Sequence, residues 1–181
     1  MLSRDGFVTI IGHGKRNFQH CIKGFIKGSL VSALVLPAVA LGSTNVNLVF
    51  HGVDTVANIT LNGQLILQTD NMFSRYVADV RALLKQDSNE LVVAIQSPIF
   101  YSLSKFSEFY ENNYTVYPTS HPSVQNGEEH ANFIRKMQSS FSWDWGPAFP
   151  SLGIWKKVEL EYYEGVQLRD VIVGTRENGE Q

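Results

Sequence analysis

Apolar residues recur at every second position through most of the chain from Asn45 onward, a period that commits a segment to strand rather than helix. In "NVNLVF" the residues Val46, Leu48 and Phe50 share one face, and in "NELVVAIQ" Leu91, Val93 and Ile95 do the same. Near the other end, Val158, Leu160 and Tyr162 alternate with Lys157, Glu159 and Glu161 in "GIWKKVELEYY". "TVANITLNGQLIL" holds two strand-like runs around Asn62-Gly63, the dipeptide favoured in a two-residue type I′ hairpin turn. "FSRYVADVRALLKQDSNELVVAIQS" reads as strand, polar connection and strand, with one helical turn over Asp79–Leu84, and "QLRDVIVGT" reads as a last strand. Short strands between turn signals, without a long amphipathic helix, predict an all-β fold: a jelly-roll-like antiparallel β-sandwich.

Between Ser97 and Gly146 this period disappears. The stretch is aromatic, polar and punctuated by proline, as in "FSEFYENNYTVYPTSHPSVQNGEEH". A connection that long inside a compact domain is functional or disordered, and its aromatic content argues for order. It ends in "SFSWDWGPAFPSLGIW", residues 140–155, which holds all three tryptophans of the chain: Trp143, Trp145 and Trp155. Pro147, Pro150, Gly146 and Gly153 exclude a helix across it. The predicted object is a rigid sandwich bearing a long ordered aromatic loop.

Carbohydrate sites combine aromatic faces, which stack on the C–H face of a pyranose, with carboxylates or guanidinium groups that bond to its hydroxyls. Trp143, Asp144 and Trp145 supply both, and Gly146 with Pro147 suits a tight turn beside them. Arg135 and Lys136 stand upstream in "NFIRKMQ", placed either to touch a sugar or to hold Asp144; His130 is a further candidate for loop support. Packing at a sandwich corner accounts for the tryptophans equally well, and a turn or cap role for Asp144.

Other chemistries find less support. The formal net charge of −2 and the absence of a basic cluster exclude a nucleic-acid footprint. Cys21 is the single cysteine, so no intramolecular disulfide or multi-cysteine zinc site exists, and His13, His20, His51, His121 and His130 lack paired ligand spacing. Glycoside hydrolysis requires two carboxyl groups flanking the scissile bond. Glu128-Glu129, Glu108/Glu111 and Asn89-Glu90 are the available sets, all better read as solvated loop or turn residues. No phosphate-binding loop or nucleophile elbow is present. The expectation is a non-catalytic chain without metal or cofactor.

Residues 1–44 remain unassigned. "LVSALVLPAVALG", residues 30–42, has the length and flanking charge of a signal-peptide apolar region but begins too far from Met1. A core segment broken at Pro37, or an upstream stretch wrongly joined to the chain, explains it too. It is too short to span a bilayer comfortably. Asn58-Ile-Thr and Asn113-Tyr-Thr are glycosylation sequons, consistent with secretion. A boundary falls at Glu164–Gln167, giving a domain over 45–164 and the start of another over 165–181.

The motifs "GVDT", "DNMF.RY" and "RK.Q..FSWDWGP.FP..GIW" resemble those of the N-terminal sugar-binding domain of β-mannosidases of the lysosomal type, in glycoside hydrolase family 2. The resemblance runs from about Asn45 to Val173. It implies a galactose-binding-domain-like jelly roll followed by an immunoglobulin-like domain and a TIM barrel. It also implies that Asp144 contacts the terminal mannose of a β-mannoside oligosaccharide, with Trp143, Trp145 and Arg135 around it. The family's acid/base and nucleophile are glutamates of the barrel, without counterparts in these residues. Met1–Thr44 does not match the family's leading strands, which leaves an unpaired sheet edge as an expectation. A fragment of such an enzyme, a stand-alone mannose-binding module and a non-functional remnant are the readings that follow.

Overall fold

The computed structural model describes residues 6–9, 27–34, 38–117, 127–143 and 146–175. The strands are β1 (Gly6–Thr9), β2 (Lys27–Leu34), β3 (Asn45–Phe50), β4 (Val53–Asp54), β5 (Ala57–Leu61), β6 (Gln64–Thr69), β7 (Tyr76–Asp79), β8 (Asn89–Gln96), β9 (Gly153–Ile154) and β10 (Val158–Tyr163). Two helices join them, α1 (Ala38–Gly42) and α2 (Pro98–Glu111). One antiparallel sheet runs β1-β10-β3-β7, the other β2-β8-β5-β6, and β4 pairs with β9 as a separate ribbon.

The alternating residues meet across the sheets as the period requires. Val158, Leu160 and Tyr162 of β10 face Phe50, Leu48 and Val46 of β3, and Ile95, Val93 and Leu91 of β8 face Ala57, Ile59 and Leu61 of β5. Those side chains form one apolar cluster between the two sheets. The β5–β6 hairpin turns on Asn62 and Gly63 with φ of 53° and 84°, the left-handed pair that a type I′ turn demands. Asn62 donates its side-chain amide to the Leu83 carbonyl and to Asn89 Oδ1, tying the turn to the chain that leads into β8.

The structure differs from the sequence expectation at four places. Pro98–Glu111 is a 14-residue helix inside the stretch read as loop. Ser97-Pro98 is a helix-start signature, with proline in the first turn where its missing N–H costs nothing, and Ile99, Leu103, Phe106 and Tyr110 follow at helical spacing. The expected final strand is absent: residues 166–175 make no strand pairing, and Val166 and Ile172 are 98% and 93% exposed. Ahead of Asn45, β1 adds to β10 and β2 to β8, so each sheet carries a strand from the segment that sequence left unassigned. Leu30–Leu34, the first part of the signal-like apolar run, lies in β2.

Finally, Glu159 and Glu161 alternate as expected but are buried. Lys157 and His51 each reach Glu159 at 2.6 Å, while Arg75 and Arg169 both pair with Glu161. Two partners per carboxylate make the outer face of that strand a polar network in place of a solvated edge. Among the described residues, no helix is long and apolar enough to cross a membrane.

Candidate functional site

Four sequence motifs, far apart in the chain, converge at the base of the aromatic loop. "GVDT" supplies Asp54 at the end of β4, and β4 pairs with β9, so that Val53 stands opposite Ile154 and Asp54 opposite Gly153. The next residue, Trp155, lays its indole against Gly52, where a Cβ would stand 2.5 Å from Nε1. No side chain larger than hydrogen fits under that ring. The indole N–H donates to the Met72 carbonyl at 2.9 Å, joining "DNMF" to the ribbon. Phe73 meets the same ring edge-on at 6.5 Å, and Lys156 Nζ lies 4.4 Å from its centroid. Tyr76 fixes the turn before it, its hydroxyl accepting the N–H groups of Asp70 and Asn71 at 3.1 and 2.9 Å.

The "IRK" segment closes this assembly. Met72 donates its N–H to the Arg135 carbonyl at 2.9 Å, and Asn71 bridges to Arg135 in parallel. Lys136 turns inward, with its side chain 0% exposed, and gives its ammonium to both oxygens of Asp54 at 2.5 and 2.7 Å and to Ser151 Oγ at 3.0 Å. Burial pulls the ammonium below its ordinary 10.5, opposed by the hydrogen bond and charge of Asp54. All three of its protons have protein acceptors. Among the described residues Lys136 braces Asp54 and Ser151. The Arg135 side chain is exposed.

Above this base the loop is folded on itself. Phe141 is fully buried, and its carbonyl accepts the Glu128 N–H at 2.9 Å. Ser140 accepts from Phe149 at 2.7 Å, drawing the two limbs together. Ser142 holds φ of 98° and ψ of 179°, a region natural to glycine, and its hydroxyl bonds to the Gly146 carbonyl. Gly146 donates back to the Trp143 carbonyl at 3.4 Å. Asp144 and Trp145 themselves lie outside the described residues. Trp143, just before them, is 60% exposed, Gly146 is half-buried and Pro147 is exposed.

One flank of the loop opens into a cavity of about 850 Å³ between α2 and residues 128–143. Its wall is aromatic: Phe106, Phe109, Tyr110, Tyr114, Phe133 and Trp143. His130, in left-handed backbone conformation at φ 66°, stacks on Phe106 at 4.1 Å and 15°. The sequence shows this region as aromatic but not the helix that arranges it, so nothing in it singles out Phe106, Phe109 or Phe133. Nor does it single out Ser151, or Asp54 within "GVDT", since their partners lie far along the chain.

Glu108 sits exposed on α2 with Lys105 at 2.6 Å, and Glu111 is exposed at the helix end. Asn89 is buried, exchanging hydrogen bonds with Lys85 N–H and C=O at 2.8 and 2.9 Å. No group of three or more metal-ligating side chains occurs among the described residues. Both sequon asparagines, Asn58 and Asn113, are exposed.

The profile of the family described as glycosyl hydrolase 2 galactose-binding domain-like matches residues 31–156, a span that holds all four converging motifs. This chain belongs to that family. β-Mannosidases are among its relatives. That of Capra hircus is 51% identical over 118 residues, covering 65% of this chain and 13% of the relative. The probable β-mannosidase of Caenorhabditis elegans is 34% identical over 127 residues, or 70% and 14%. The crystal structure of a β-D-mannosidase from Dictyoglomus thermophilum superposes with a TM-score of 0.66 at 33% identity, over 84% of this chain and 18% of that one. The chain thus spans about an eighth of the length of such relatives. In the family's terms it is an N-terminal galactose-binding-like sandwich.

Proposed function

We propose that this domain completes the substrate site of a β-mannosidase that removes terminal non-reducing β-D-mannose from N-glycan-derived oligosaccharides. In this reading the domain carries no catalytic group. Its loop presents Asp144 to the terminal sugar, flanked by Trp143, Trp145 and Arg135, while an immunoglobulin-like domain and a TIM barrel of the same enzyme supply the remaining walls and the two catalytic glutamates. Secretory, lysosomal residence belongs to the same reading and is supported by the exposed Asn58 and Asn113.

The observation that carries it is the base of the loop. A buried Lys136–Asp54–Ser151 cluster and the Trp155 seat on Gly52 fix both ends of the segment around Asp144. Such rigidity suits a contact that must be in place before substrate arrives. In the enzyme bearing this domain, Asp144→Ala should lower kcat/KM for a β-mannoside about thirty-fold, the loss of about 2 kcal/mol from a charged hydrogen bond. Unchanged kinetics would remove Asp144 from the site. Strong mannose binding by the 181-residue chain alone would favour a self-sufficient binding module instead.

A further inference from the structure

We propose that the aromatic cavity between α2 and the loop is a second sugar subsite, which takes the pyranose ring following a terminal mannosyl residue. The proposal rests on Asp144 as the contact for that first sugar and goes on to locate the second.

Size is the first argument. At about 850 Å³ the cavity lies in the range of small-molecule sites and holds more than one ring. Chemistry is the second. Its wall combines ring faces with the polar side chains of Glu128, Gln138 and Ser139, the mixture that a pyranose needs for its C–H face and its hydroxyls. Tyr110 and Tyr114, at 73% and 68% exposure, leave aromatic surface in water at the mouth.

Rigidity is the third. Phe106 is stacked on His130 at 4.1 Å and on Tyr110 at 6.0 Å, and meets Phe133 edge-on at 5.7 Å. Phe109 contacts Phe133 and Tyr114 at 5.7 and 5.8 Å. The rings hold one another, so little side-chain freedom remains to be lost when a ligand enters. Position is the fourth: Trp143 lines the cavity and is the residue immediately before Asp144. Consecutive Cα atoms stand about 3.8 Å apart, so the chain carries the first-sugar contact at the edge of this cavity.

The cavity is built by this chain alone, so the chain alone tests it. Amide NMR spectra of the 181-residue protein are recorded against β-1,4-mannobiose and against methyl β-mannoside. Mannobiose should shift Tyr110, His130 and Phe133, and methyl β-mannoside should leave them in place. Tyr110→Ala, at a position 73% exposed, should weaken mannobiose binding about fivefold. Absence of shifts at those amides, or equal affinity in the variant, overturns the subsite. The Asp144 reading is judged on another variant and another readout, the kcat/KM of Asp144→Ala, so a failure of the subsite and a failure of that reading are told apart.

Discussion

Lys136→Met isolates the cluster beneath the loop. Methionine keeps most of the apolar stem and removes the ammonium. Asp54, 2% exposed, then loses its two shortest cationic contacts, at 2.5 and 2.7 Å, and keeps only Ser151 Oγ at 2.7 Å and Thr55 Oγ1 at 2.5 Å. A carboxylate stranded in that position costs about 3–5 kcal/mol, a large part of the 5–15 kcal/mol that holds a domain of this size together. With a urea m-value of about 2 kcal/mol per molar, the midpoint should fall by about 2 M at pH 7 with m unchanged. A fall under about 0.5 M would refute the reasoning, because it would place the pair among exposed salt bridges worth 1 kcal/mol or less.

Two further perturbations follow from the same geometry. Gly52→Ala puts a methyl 2.5 Å from Trp155 Nε1, so the indole must leave its bond to Met72; about 2 kcal/mol of stability and part of the near-ultraviolet circular dichroism should go with it, whereas a neutral alanine would mean that the seat is loose. Glu159 is held below its ordinary 4.5 by the hydrogen bond from Lys157 and then that from His51, against the upward push of burial. A carboxyl depressed in the folded state gives stability present above 4.5 and lost as pH falls through its lower folded value. Unfolding midpoints measured from pH 6 to pH 3 should therefore drop, and less steeply in Glu159→Gln; parallel curves would exclude Glu159 as the source.

The sandwich was legible because its strands each bury one face. Val46, Leu48 and Phe50 could not satisfy any period but two, and Asn62-Gly63 fixed the hairpin by backbone chemistry alone. Glu159 and Glu161 obeyed the same period, and Lys157 stands beside them on it, yet nothing local announces that His51, Arg75 and Arg169 would cover them; ion pairs between distant residues leave no periodic trace. The α2 helix carried its signal in Ser97-Pro98 and in residues 99, 103, 106 and 110, but its dense aromatic content favours strand on propensity, which masked the spacing. The loop site divides the same way. Tryptophan, proline and glycine around Asp144 mark a segment that cannot be helical in the sequence itself. That Lys136 turns away from the loop to grip Asp54, 82 residues earlier, is a tertiary fact that composition cannot hold.

The reason for a buried ion pair at that place can itself be tested. Apolar residues in both positions should fold nearly as well, since desolvation consumes most of what the pair contributes. A Leu–Met contact, however, accepts many relative placements of β4 and the loop. An ammonium bonded to two carboxylate oxygens and one hydroxyl accepts one. Asp54→Leu with Lys136→Met should therefore recover most of the stability lost in Lys136→Met alone. In the enzyme bearing this domain it should still depress kcat/KM for a β-mannoside, because Ser151 and the segment around Asp144 are no longer pinned to β4. Recovery of both stability and activity would show that packing alone places the loop and that the charges are dispensable.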